Sequence, residues 1–270
     1  MRIRYATAVL QRWLTMAVDF DCPYCGHRAR PIWHKWLLLV LMECPNCQLR
    51  FRVPKDDRRL ARRYYDEGYV EDTVTDLPSG TEWSDETPAR FHKFLKDRRG
   101  FLEQVVALSA PTSVIDFGCS WGYVLDWFRR AGVSRCVGFE VSRPRARIGR
   151  ERLGLTIYSE EKEVLEAEGT FDLVYCAHVI EHMPDLRDTF ATFRRLLRPG
   201  GSLALAAPNA SDRSDRRGRG WWAECVGEAH TLAITYSFLE HVLPRHGFRI
   251  IHTANRSEPE LRVVAVRSDP

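Results

Sequence analysis

Val114-Ile115-Asp116-Phe117-Gly118-Cys119-Ser120-Trp121-Gly122 is the stretch from which the fold is read. Residues 113–117 form a short apolar run of strand length, Gly118 to Gly122 make a turn, and Tyr123 to Ala131 carry helical spacing. The same strand-then-helix grammar continues along the chain. Cys136–Glu140, Leu155–Tyr158, Phe171–Cys176, Ser202–Ala207, Phe248–Thr253 and Leu261–Arg267 read as further strands. Asp185 to Leu197 reads as a helix stopped by Pro199-Gly200-Gly201, and Thr235 to His246 as a helix closed by Gly247. Such alternation implies an α/β fold with a mostly parallel sheet of seven strands and helices on both faces.

In a sheet of this kind ligands sit beyond the carboxyl ends of the strands. Gly118 and Gly122 let the backbone approach a ligand where a helix begins. Glu140 closes the second strand, 24 residues after Asp116, where a carboxylate can hydrogen-bond both hydroxyls of a ribose. Each feature alone has a plain structural reading, as a turn or a solvated acid. Together they favour a nucleoside-bearing cofactor.

Upstream, Cys22-Pro23-Tyr24-Cys25 and Cys44-Pro45-Asn46-Cys47 are two Cys-x2-Cys pairs separated by 18 residues. Each pair makes a knuckle that aims two thiolates at one ion, and two knuckles complete a tetrahedron. Four protein ligands imply a structural zinc. The competing reading is a pair of disulfides in a secreted protein. Cys119, Cys136, Cys176 and Cys225 stand singly in apolar or Gly-rich surroundings, as ordinary thiols do, and favour a reducing cytoplasmic location. Residues 1–18, with Arg2, Arg4 and Arg12, are expected to be a helix before the ribbon rather than an export leader.

Composition sets outer bounds. The chain has 270 residues, 44% apolar and 28% charged, which excludes wholesale disorder and fibrous repeats. A net charge of +4 from 40 basic and 36 acidic residues permits an anionic or RNA partner without demanding one. The apolar run Trp36–Met42 falls far short of the roughly 20 residues of a membrane span and reads as a buried strand or short core helix. The expected order is a zinc-ribbon segment with an N-terminal helix over 1–55, a linker with helices over 56–95, and a catalytic domain over 96–270. Pro88 to Ala107 is expected to be helical, Asp76 to Pro88 a loop, and Arg58-Arg59 with Arg62-Arg63 a solvated helix face.

The 114–122 motif resembles the first motif of class I S-adenosylmethionine-dependent methyltransferases. Phe171-Asp172-Leu173-Val174 through Val179-Ile180-Glu181-His182 looks like their fourth-strand motif, and Leu196-Leu197-Arg198-Pro199-Gly200-Gly201 like the turn before their fifth strand. The chain departs from the pattern at Ser120-Trp121, where smaller residues are common. The resemblance covers roughly 90–270 and implies a Rossmann-like fold preceded by a small zinc ribbon. It further implies cofactor contacts by Asp116, Gly118, Cys119, Gly122, Glu140, Cys176 and Ala177, with Phe139 or Val141 flanking the adenine. Pro208-Asn209, Trp221-Trp222, His230, Ser237, Leu239 and Gly247-Phe248 are similar to a subgroup acting on small molecules and glycans. The resemblance therefore implies methyl transfer to a small-molecule or glycan-precursor acceptor, at oxygen or carbon. Because the sulfonium already activates the methyl group, the protein mainly positions the nucleophile and removes its proton.

His178-Val179-Ile180-Glu181-His182 admits several readings. On a helix, His-x-x-Glu-His would suggest an inverted zinc peptidase, which the surrounding frame opposes. The stretch is similar to a divalent-metal site of some ubiquinone-pathway and small-RNA methyltransferases, with Glu181, His182, His178 and His230 in the matching places. Alternatively His178 or His230 is the catalytic base, or the segment is purely structural. Arg213, Arg216, Arg217 and Arg219 beside Trp221-Trp222 form either a substrate-gripping cap or a solvated loop. Two other functions remain open: an RNA methyltransferase, which Gly68-Tyr69-Val70 after a ribbon resembles, and an inactive interaction module.

Overall fold

The computed structural model describes residues 3–15, 19–35, 38–55, 92–167, 169–211, 222–227 and 230–268. The chain divides into two units. The ribbon unit comprises Met1–Ala61, His178–Ala191 and Ala206–Val263, and the sheet unit comprises Arg62–Ala177, Thr192–Leu205 and Val264–Pro270.

The sheet unit is built around β4 (Ser113–Phe117), β5 (Arg135–Phe139), β6 (Thr156–Tyr158) and β7 (Phe171–Ala177). These strands are parallel: Val114 pairs with Cys136 on one side and Leu173 on the other, and Val137 pairs with Thr156. All of β4 and the first six residues of β7 are buried, so both faces of the sheet are covered and the strands are apolar almost throughout. Helices α2 (His92–Ser109), α3 (Tyr123–Arg130), α4 (Arg143–Leu153), α5 (Glu161–Leu165) and α6 (Leu186–Leu196) alternate with them. Strands β8 (Leu197–Pro208), β10 (Phe248–Thr253) and β11 (Glu260–Arg267) extend the sheet to seven, in the order β10-β11-β8-β7-β4-β5-β6. The expected α/β, mostly parallel, Rossmann-like sheet is therefore observed.

In the ribbon unit, α1 (Ile3–Thr15) places Val9 and Trp13 against Leu38 and Leu39, and Trp13 Nε1 donates to the Leu38 carbonyl at 2.8 Å. Strands β1 (Arg30–Lys35), β2 (Leu39–Glu43) and β3 (Arg50–Val53) form an antiparallel sheet that β9 (Leu232–Ala233) completes. Two short helices, α7 (Trp222–Cys225) and α8 (Tyr236–Val242), flank β9 in the chain.

Three local readings are corrected. The fifth strand begins at Leu197, not Ser202, because the residue before a proline is driven into extended backbone and Arg198 precedes Pro199. The helix read over 235–246 ends at Val242 and resumes as a single 3-10 turn at Pro244–His246, since Pro244 has no N–H to continue it. Trp222, expected beside the arginines in either a substrate cap or a solvated loop, is 2% exposed and lies in a core cluster with Leu41, Ala223 and Val226. The segments 56–91 and 212–221, with their arginines, Tyr64, Tyr65, Tyr69 and Trp221, lie outside the described residues. Among the described residues no helix is long and apolar enough to cross a membrane.

Candidate active site

Asp116 is the fourth residue of β4, paired across the sheet with Gly138 of β5 and Tyr175 of β7. It is buried, and burial pushes its carboxyl up, with Arg98 pulling down and Glu140 pushing further up, to about 8. Glu140 follows β5 directly. Its Oε2 accepts from the Ser120 amide at 2.8 Å and its Oε1 from the Ser142 amide at 2.7 Å. Burial raises this carboxyl too, against the pull of those two amides and of Arg145.

The glycine-rich turn is folded onto the end of β5. The amides of Gly118 and Cys119 both donate to the Phe139 carbonyl, at 2.7 and 3.0 Å. Gly138 permits this approach, for a Cβ there would lie 2.5 Å from Cys119 Sγ. Gly122 starts α3 at φ +87, where a Cβ would meet Leu155 Cδ1 at 2.5 Å. Cys119 is buried and its thiol is pushed well up, so it contributes packing and its backbone amide. The departure at Ser120-Trp121 now has a physical account. Ser120 adopts φ 54 and its Oγ accepts from buried Arg145 at 2.9 Å, while Trp121 is fully buried beside Tyr123. Of the two residues proposed to flank an adenine, Val141 is exposed, whereas Phe139 is buried against Phe117. Cys176 is buried near the end of β7, and Ala177, its last residue, is partly buried. Two buried carboxyls around a tight amide-rich turn suit a ligand that offers hydroxyls and a cation.

The ribbon unit carries a second cluster, which begins at the residue after Ala177. His178 turns the chain at φ 55, its amide donating to the Ala206 carbonyl at 2.8 Å. Its Nε2 lies 2.5 Å from Glu260 Oε1, the first residue of β11, and Arg262 Nε donates to Glu260 Oε2 at 2.6 Å. Burial pushes Glu260 up, but His178 and Arg262 outweigh it and hold the carboxyl at about 2. Buried Asn209 donates to the carbonyls of Arg256 and Glu258, at 2.9 and 2.7 Å, and so pins the turn that delivers Glu260. No sequence pattern marked Glu260, because it sits 82 residues from His178.

Glu181 is 1% exposed, and neither of its carboxylate oxygens has a hydrogen-bond partner. His178 Nδ1 is 3.6 Å and His182 Nε2 3.9 Å from its Oε1. The His182 and His230 rings meet edge to face at 4.4 Å. One ligand atom each from Glu181, His182 and His230 falls within a 4.8 Å sphere of mutual distances. Burial drives the His230 imidazole down to about 2, with His182, His178 and Lys35 adding to the effect. A carboxylate buried without a donor is costly, and two imidazoles with one carboxylate are a common transition-metal donor set. Glu181, His182 and His230 therefore fit a divalent ion, whereas His178 has turned to Glu260. Ile180–His182 is a single 3-10 turn, which removes the helix that an inverted zinc peptidase would need.

The four ribbon cysteines converge. Sγ–Sγ distances are 3.6 Å for Cys22–Cys47, 3.4 Å for Cys25–Cys44 and 3.7 Å for Cys25–Cys47. Disulfides need roughly 2.05 Å, so these pairs are free thiols. A tetrahedron of about 2.3 Å zinc–sulfur bonds has edges of roughly 3.8 Å, close to what is observed. The two knuckles repeat one backbone pattern: Gly26 N donates to Cys22 O at 2.9 Å, and Gln48 N to Cys44 O at 3.0 Å, both donors in left-handed conformation. The bond from Cys47 lowers the Cys22 thiol and raises that of Cys47, while burial raises Cys44. Four adjacent thiols resist joint ionisation, and a cation removes that resistance.

A Rossmann-like sheet with an acid-lined glycine turn defines a nucleoside-cofactor enzyme. A family model described as a methyltransferase domain matches residues 87–253, more than half of the chain, and the chain belongs to the S-adenosylmethionine-dependent methyltransferases. Ubiquinone biosynthesis O-methyltransferase from Thiobacillus denitrificans is 27% identical over 164 residues, covering 56% of this chain and 67% of that protein. Methyltransferase GfsG from Streptomyces halstedii is 31% identical over 113 residues, covering 39% and 41%. The chain thus spans between about two-fifths and two-thirds of these curated relatives. Geranyl diphosphate C-methyltransferase from Streptomyces coelicolor shares the fold at TM-score 0.54 and 16% identity, over 77% of this chain and 97% of that one.

Proposed function

We propose that this protein transfers the methyl group of S-adenosylmethionine to a small-molecule or glycan-precursor acceptor. The observation that carries the reading is the cradle of Asp116, the Gly118–Gly122 turn and Glu140. Its residues are assigned by chemistry: Glu140 to the ribose hydroxyls, Asp116 to the methionine moiety with the Gly118 and Cys119 backbone beside it, and Val141 to the adenine. Gly122 admits the turn, and Cys176 and Ala177 line the end of β7. Along the chain, 1–55 is the zinc-ribbon segment, 56–95 a connector and 96–270 the methyltransferase part. The free thiols of Cys119, Cys136, Cys176 and Cys225 fit a reducing cytoplasm.

Acceptor chemistry falls to the histidine cluster, and a hydroxyl nucleophile suits it best. His178, paired with Glu260, is the base, which takes the acceptor proton as the methyl group moves in line. Glu181, His182 and His230 would hold a divalent ion, which when bound would lower the pKa of an acceptor hydroxyl. The O-methyltransferase activity in the name of one relative favours oxygen over carbon. Cys22, Cys25, Cys44 and Cys47 would hold a structural zinc.

Calorimetric titration with S-adenosylhomocysteine, the expected product, tests the reading. Binding to the intact protein, lost in Asp116→Ala and weakened in Glu140→Ala, is the expected result. A folded protein that does not bind would overturn it and turn attention to an inactive interaction module.

A further inference from the structure

Within the ribbon unit, the sheet that follows the cysteine knuckles grips the segment carrying His230. Strand β3 starts three residues after Cys47 and pairs with β9, Arg50 opposite Ala233 and Phe51 opposite Leu232. The Arg52 amide adds a bond to the Thr231 carbonyl at 3.0 Å, so the ladder reaches the residue next to His230. The Gln48 carbonyl, inside the second knuckle, accepts from Thr235 Oγ1 at 3.0 Å.

Buried cations do the rest. Lys35, 5% exposed on β1, donates to the carbonyls of Ala223, Glu224 and Val226 at 3.0, 2.8 and 2.6 Å, which uses all three of its N–H bonds. Arg52, 1% exposed, donates from Nε to the Gly227 carbonyl at 2.6 Å. The Gly227 amide in turn donates to the His230 carbonyl at 3.1 Å. Burying two cations is an expensive way to hold a stretch of backbone. The backbone held in this way lies beside His230, whose ring meets that of His182.

We propose that the ribbon is a positioning element of the histidine site. Metal loading at the four cysteines fixes β3, and Lys35 and Arg52 pass that order to residues 222–227 and 230–231, and so to His230. This rests on the histidine cluster serving the acceptor, but the measurement below reads the coupling itself and needs no acceptor.

Hydrogen exchange with mass spectrometry is run on the full chain, zinc-loaded and after chelation. The expected result is that exchange quickens roughly tenfold or more in 39–53, 178–183 and 222–233 together, while 113–140 is unchanged. Loss of protection confined to 39–53 would overturn the proposal and make the ribbon an independent appendage. If chelation unfolds the whole chain, zinc-loaded Lys35→Met decides. Its His182 and His230 ring signals, read by NMR of histidine-labelled protein, should move while those of His27 and His252 stay. Lys35→Arg should restore them partly, and affinity for S-adenosylhomocysteine should match the wild type. Unmoved His182 and His230 signals in Lys35→Met would sink the proposal.

Discussion

His178 Nε2 and Glu260 Oε1 lie 2.5 Å apart, although 82 residues separate them in the chain. The contact gives the imidazole a fixed orientation. Loss of a general base typically costs 10²- to 10⁴-fold, so His178→Ala should lower kcat by roughly that much at unchanged cofactor affinity. Glu260→Gln should cost less, because the imidazole remains and only its orientation is loosened. Glu260 is depressed from its unfolded value near 4.3 to about 2. Its stabilisation is therefore complete above the unfolded value and is lost as pH falls through the folded one. Acid-melting curves of Glu260→Gln should be flatter across that window. Equal slopes in the two proteins would contradict the pair.

Asp116 stands the other way round. Its carboxyl is raised to about 8, so at neutral pH the folded protein holds a proton that the unfolded chain has released. Stability contributed by this group therefore declines as pH climbs from the unfolded value near 3.9 towards the folded one. A cofactor bringing a cation to the cradle favours the ionised form. Titration with S-adenosylhomocysteine at pH 7 should thus release up to one proton, seen as a heat that changes with the ionisation enthalpy of the buffer. Asp116→Asn should abolish that dependence, and a buffer-independent heat in the wild type would count against the assignment.

The ribbon cysteines make a compositional prediction. The wild type should carry one zinc per chain at the four converging thiols, and Cys44→Ser should lose it. Cys225→Ser, at a half-buried thiol apart from the knuckles, should keep it. Elemental analysis after gel filtration reads both. Retained zinc in Cys44→Ser would place the ion elsewhere.

What was legible in the sequence was whatever local pattern encodes. The alternation over 113–177, the glycine turn with Glu140, and the paired Cys-x2-Cys knuckles each carry their signal in a short run of residues, and each appears where it was expected. What escaped rests on distance in the chain. Glu260 faces His178, and Lys35 and Arg52 hold carbonyls 188 and 175 residues away, with no local signature of their own. Two-residue β9 is too short to show alternation and exists because β3 offers it an edge. Trp222 reads locally as a cap or loop residue beside its arginines, but Arg50 lies over its ring at 5.0 Å and the core claims it.

Glu181 offers the sharpest separation of function from stability. Its carboxylate is buried with no hydrogen-bond donor to either oxygen, and its imidazole neighbours stand 3.6 and 3.9 Å away. Such a group is retained against its cost when it has a ligand to hold. Glu181→Leu should therefore raise the melting temperature of the protein measured in chelator, by a few degrees for about 1–3 kcal/mol. Added Mn²⁺, Co²⁺ or Zn²⁺ should stabilise a protein already loaded at the cysteines, and do so in the wild type alone, since an ion bound only by the folded state shifts the equilibrium by mass action. His230→Ala should lose the same response through a different ligand. If Glu181→Leu destabilises the chelated protein, and the metal response survives in both variants, Glu181 is a structural acid and the divalent site lies elsewhere.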